Sequence, residues 1–119
     1  MKIHPSELYF YHSSSQPIDK QTKAYAKSVT RFVNEIDLLK ERLTATQWDQ
    51  ILLMLGLRPK DLLNRAHPDY QRMIAGRDWD EEGWLNILVN YPHLIKSPIA
   101  IFRNRAILCK TPTDILKLD

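Results

Sequence analysis

The residues best equipped for chemistry lie in Ser13-Ser14-Ser15-Gln16, with Lys20 close behind. Hydroxyls and backbone amides at a helix start, beside a lysine, are the donors that hold a small anion. The same serines can instead satisfy turn and cap amides, and that simpler reading is preferred. Cys109 is the single cysteine. Set in a strand-like run between Leu108 and Lys110, it reads as a small packing residue, not a reactive thiol. His4, His67 and His93 show no ligand spacing with one another or with Cys109, so no metal site is expected. Asp78, Asp80, Glu81 and Glu82 lack the alternating positions of a calcium loop and suit the positive end of a helix better. Lys20, Lys23, Lys27 and Arg31 recur at helical spacing. Such a row is ordinarily a solvated face; the alternative is a docking surface in which Lys23, Lys27 and Arg31 meet an acidic partner.

Size and charge narrow the classes. The chain has 119 residues, with 44% hydrophobic and 26% charged, enough for one globular domain over residues 1–119 with a core of its own. Seventeen basic against fourteen acidic residues leave a net charge of +3. That permits an acidic partner without demanding direct contact with nucleic acid. One cysteine allows no internal disulfide and fits a reducing compartment. No apolar run approaches a membrane span, and the opening stretch is too short for a signal peptide, so the cytoplasm is expected.

The elements that would position these residues follow in order. Glu7–His12 reads as an aromatic-rich strand. After the serine loop, Asp19 is placed as the cap of a helix with Thr22, Tyr25, Ala26, Val29 and Val33 on its inner face. The middle of Phe32–Leu39 predicts a second strand. Thr44-Ala-Thr-Gln47 has the form of a capping box, and its helix turns Trp48, Ile51, Leu52 and Leu55 inward before Gly56. Short helices are predicted at Pro59–Asn64 and His67–Ala75. A longer one carries Trp84, Leu85, Leu88 and Val89 on one face and ends at Asn90-Tyr91-Pro92. Pro98 opens the strand Ile99–Phe102, where a proline loses no ladder bond and can hold a cis peptide. A turn at Arg103-Asn104-Arg105 leads to a last strand, Ala106–Cys109, and Thr111–Asp114 caps a closing helix. The order predicts an α/β fold: a right-handed strand–helix–strand unit, a helical insert, then an antiparallel hairpin and a helix, together a four-stranded mixed sheet.

This plan is thioredoxin-like, or glutaredoxin-like, and the sequence resembles the arsenate reductase and Spx-type (ArsC-like) group. The resemblance runs from about Leu8 to Leu118. It is carried by Ile36-Asp-Leu-Leu-Lys40, by Leu55-Gly-Leu-Arg-Pro-Lys-Asp-Leu-Leu63, by the stretch Glu82–Ile99 and by Ile115-Leu-Lys-Leu118. It implies a cis peptide before Pro98 at the edge of an active site. It also implies a nucleophilic cysteine at the first helix's mouth, where amides and helix dipole favour a thiolate. That position here is Gln16. The second cysteine of Spx-type switches corresponds to Asp19, and the following arginine to Lys20. Three arginines of the family's oxyanion clamp correspond to Lys60, Ser97 and Ile107, of which only the lysine keeps a charge, without the planar fork. His12 matches a histidine some reductases place beside their cysteine; with glutamine there, a polar strand-end role is preferred.

The expectation is therefore a redox-inactive member of that group, without catalytic residues or cofactor. Its candidate binding surface is Ser13, Ser14, Ser15, Gln16, Lys20, Lys60, Ser97 and Pro98. The resemblance implies two alternatives: an oxidoreductase that borrows a thiol from glutathione or a partner enzyme, and a regulator contacting RNA polymerase. The sequence names no oligomeric state.

Overall fold

A computed structural model describes residues 6–119. His4, weighed above as a ligand, lies outside the described residues. The chain divides into two compact units. Of the described residues, one comprises 6–41 together with Ser97–Asp119, the other Arg42–Lys96.

The first unit holds the sheet. Strand β1 (Glu7–His12) lies at its centre, parallel to β2 (Phe32–Asp37) and antiparallel to β3 (Ile99–Phe102), which pairs with β4 (Arg105–Leu108). The strand order is β2-β1-β3-β4, as expected for the thioredoxin-like plan. Helix α1 (Pro17–Val29) makes the crossover between the two parallel strands. Alternation along β1 sends Leu8 and Phe10, both 0% exposed, into one core. There they join Ala26 from α1, Ala100 and Phe102 from β3, and Cys109, Ile115 and Leu118 from the closing segment. Burying side chains the size of Leu8 and Phe10 contributes about 2 kcal/mol each. On the opposite face Tyr11, Ile99 and Ile101 are also buried.

Local details differ from the sequence expectation. Tyr25, assigned to the inner face of α1, is 40% exposed; Thr22 and Ala26 are the buried residues there. The strand after Phe32 stops at Asp37, whose carboxylate accepts the Leu39 N–H and turns the chain. The hairpin turn is two residues, not three. Arg103 and Asn104 both adopt positive φ, 51° and 63°, as a primed turn between twisted strands requires. That moves β4 one residue earlier than the predicted Ala106–Cys109 and leaves Cys109 beyond it. The closing helix, Pro112–Leu118, is 3₁₀.

The second unit is helical. Helix α2 (Ala45–Leu55) starts at the expected capping box: Thr44 Oγ1 accepts the Gln47 N–H at 3.2 Å, and Gln47 Oε1 accepts the Thr44 N–H at 2.9 Å. It ends at Gly56, whose φ of 68° is left-handed and suits glycine. Trp48, Ile51 and Leu52 are buried, while Leu55 is only half-buried. Thr44→Ala should lower stability by about 1 kcal/mol; an unchanged denaturation midpoint would show that the box contributes nothing. A 3₁₀ turn (Pro59–Leu62) and α3 (Pro68–Met73) follow, each shorter than its predicted span. Helix α4 (Glu81–Asn90) begins at Asp80, which accepts the Gly83 N–H. It buries Ile87 and Leu88, while Trp84, Leu85 and Val89, which the apolar spacing places on the inner face beside Leu88, are half-buried.

Candidate functional site

The site is assembled within the first unit, where the β1–α1 loop meets the turn leading into β3. Gln16 is the N-cap of α1, exposed, and its side chain makes no cap hydrogen bond. Pro17 follows at the first helical position, where a missing N–H costs nothing. The peptide between Ser97 and Pro98 is cis.

Asp19, expected to cap α1, does something else. It sits one turn inside the helix, 1% exposed. From there its Oδ2 accepts the Ser13 N–H at 2.7 Å and the Ser97 hydroxyl at 2.6 Å. One carboxylate thus ties the loop before α1 to the residue preceding the cis proline. Its other oxygen, Oδ1, is buried and has no hydrogen-bond partner among the described residues. Burial pushes the Asp19 pKa up; the bonds from Ser97 and Ser13 and the nearness of His12 oppose this, and Asp37 adds to it.

The three serines are engaged within the protein. Ser13 is buried and shares a hydroxyl–hydroxyl bond of 2.9 Å with Ser15. Ser14 donates to Asp37, whose carboxyl is held below its ordinary range: burial raises it, but the Leu39 N–H, the Ser14 bonds and His12 outweigh that. These hydroxyl bonds run to one another and to Asp37, not to the turn and cap amides of the simpler reading. Ser14, Ser15, Gln16 and Lys20 nevertheless present exposed surface around the helix mouth.

Other candidates are spread more widely. Lys60 is exposed on the 3₁₀ turn of the second unit, and Ile107 pairs with Ala100 across the hairpin. His12 ends β1 with its ring stacked on Phe10 at 5.7 Å. Along α1, Lys27 is exposed, Lys23 is paired with Glu35 at 2.9 Å, and the Arg31 guanidinium lies 4.9 Å from the Phe32 ring centre. Cys109 is 3% exposed in the core, its N–H donating to Pro98 O. Burial, then Asp114 and Asp19, push its thiol up to about 12. Such a thiol is almost entirely protonated at neutral pH and a poor nucleophile.

Sequence reasoning missed one grouping in the second unit. His67 Nδ1 accepts the Asp69 N–H, and Asp69 bonds His93 Nε2 at 2.9 Å and Arg72 at 2.6 Å. The pattern His67-Pro-Asp69, a cap followed by proline, was the available signal. Among the described residues no group of three His, Cys, Asp or Glu side chains is placed to hold a metal. Nor is any helix there long and apolar enough to cross a membrane.

The fold is α/β and thioredoxin-like, with a helical insert between the strand–helix–strand unit and the hairpin. Solved structures of the same fold carry the arsenate reductase name. An arsenate reductase from Vibrio cholerae superposes with a TM-score of 0.87 at 16% identity, covering 98% of this chain and 100% of that one. A Yersinia pestis protein provisionally assigned as an arsenate reductase gives 0.86 at 18% identity, over 92% and 98%. An arsenate reductase (ArsC) related protein from Brucella melitensis gives 0.67 at 16%, over 95% and 94%. No protein-family model and no curated protein matches the sequence.

Proposed function

We propose that this chain is an arsenate-reductase-type scaffold without thiol redox turnover, working as a binding module. The mouth of α1 presents Ser14, Ser15, Gln16 and Lys20 to another protein. The observation that carries this reading is the pairing of an exposed amide, Gln16, at the helix mouth with a sole cysteine kept in the core. An amide carries no thiol to ionise, and a thiol raised to about 12 attacks slowly. Asp19 supports it further. Tied to Ser13 and Ser97, it supplies structure where a redox switch would need a second sulfur.

A second reading, an oxidoreductase using a borrowed thiol, is favoured by the similarity to arsenate reductases. Lys60, Ser97 and Ile107 in place of a clamp of arginines weigh against it. Regulation through RNA polymerase would use the α1 basic face, where Lys23 is already committed to Glu35. The experiment is affinity capture from lysate of the native cells, comparing the natural protein with a Gln16→Glu, Lys20→Glu double variant. Partners retained by the first and lost by the second are expected. Identical recoveries would overturn the assignment of this surface.

A further inference from the structure

Outside that site, the second unit carries an apolar groove between α2 and α4 with an acidic rim. On α2, Asp49 and Leu53 are one turn apart on the same face; on α4, Glu81 and Leu85 are spaced likewise, and the two helices pack together. Two adjoining depressions share Asp49, Glu81 and Leu85. One has an apolar floor completed by Leu52, Leu57 and Pro59. The other continues to the acids Asp80 and Glu82 at the start of α4. Leu53 stands at the side of the groove 84% exposed, against 50% for Phe32, the next most exposed large apolar residue among the described residues. Among the described residues Arg58 is the one basic side chain lining the groove, and it leans toward Asp61 at 3.8 Å.

We infer that this groove docks a basic amphipathic helix of another protein, its leucine-like anchors on Leu53, Leu57 and Leu85 and its lysines or arginines against Asp49, Glu81 and Glu82. The charge of the rim selects the sign. The chain as a whole carries +3, so attraction of a cation here is local to the groove. Two packed helices flanking an apolar trough are the recipient for a third, which reads as anchors at helical spacing. A second copy is a poorer occupant. The chain's own basic helix, α1, has turned Thr22 and Ala26 into its core and so presents little apolar face. The groove shares no residue with the mouth of α1, and the inference stands independently of the function proposed there.

The test uses the full chain and two fluorescent probe peptides of leucine at helical spacing, one filled with lysine and the other with glutamate. Fluorescence anisotropy should show binding of the lysine peptide alone. Leu53→Ser, a fully tolerable change at so exposed a position, should weaken it about tenfold, the loss of one partly buried leucine contact. Asp49→Lys with Glu81→Lys should transfer binding to the glutamate peptide. Equal binding of both peptides, or an affinity indifferent to Leu53→Ser, would overturn the inference. So would sedimentation showing dimers of the unaltered chain that Leu53→Ser dissolves, since the groove would then belong to a second copy.

Discussion

Gln16→Cys should yield a thiol that alkylates on the order of a hundredfold faster at neutral pH than Cys109 does in the natural protein. The magnitude follows from ionisation. A thiol raised to about 12 is thiolate in about one molecule in a hundred thousand at pH 7, whereas an ordinary exposed cysteine reaches about 3%. The more basic thiolate is the better nucleophile, which recovers about 1.5 orders of magnitude of that gap. Burial of Cys109 at 3% exposure then widens it again. Because Gln16 is exposed and its side chain makes no cap bond, the substitution should leave the fold intact. Labelling rates read by mass spectrometry check this. If the natural protein reacts as fast as the variant, Cys109 is not confined to the core.

Asp19→Ala carries the second large effect. It removes the carboxylate that receives both the buried Ser13 N–H and the Ser97 hydroxyl. A buried donor left unpaired costs about 2 kcal/mol. For a chain of this size that lowers Tm by about 8 °C. Asp19→Asn keeps an oxygen for both donors and should lose less. The pair also separates charge from geometry. The folded-state pKa of Asp19 is raised, so the folded protein holds this proton more tightly than the unfolded chain. The resulting stabilisation is complete below the ordinary carboxylate range and is lost as pH rises through the elevated folded value. Asp37, Asp69 and Asp114 are shifted down and act in the opposite sense, their contribution being lost as pH falls. The Tm of Asp19→Asn relative to the natural protein should therefore increase from acid to neutral pH. A difference independent of pH would mean that Asp19 titrates normally.

Much of the architecture was readable because it rests on local rules. Glu7–His12 is a short run rich in aromatic residues, bounded by a serine loop, which marks a strand. Thr44 with Gln47 and the glycine at position 56 mark both ends of α2 through backbone bonds within a few residues. Pro98 announces its own turn. What escaped reading depends on distant partners or on small angular choices. Asp19 and Ser97 are 78 positions apart, and nothing near Asp19 distinguishes a helix cap from a carboxylate that reaches back to Ser13. Tyr25 lies at the edge of the α1 apolar stripe, where one position of helical rotation decides between core and solvent. The hairpin turn was assigned three residues because arginine at position 103 gives no hint of a positive φ. His67 and His93, whose rings lie edge to face at 5.5 Å and both bond Asp69, come together only because the fold brings two separated segments side by side.

The candidate site was legible as a loop and illegible as a mechanism of support. Ser13, Ser14, Ser15 and Gln16 are indeed at the mouth of α1, with Ser97 and Pro98 in the same unit. Their hydroxyls, however, are spent on one another and on Asp19 and Asp37. That division follows from burial: a loop packed against a cis-proline turn must satisfy its own polar groups before it offers any to a ligand.

The most direct test is arsenate reduction by the purified natural protein, supplied with NADPH and the glutathione and thioredoxin reducing systems, with arsenite as the readout. The account predicts no arsenite beyond that of the protein-free mixture. Arsenite formed by the natural protein and abolished by Cys109→Ser would contradict it.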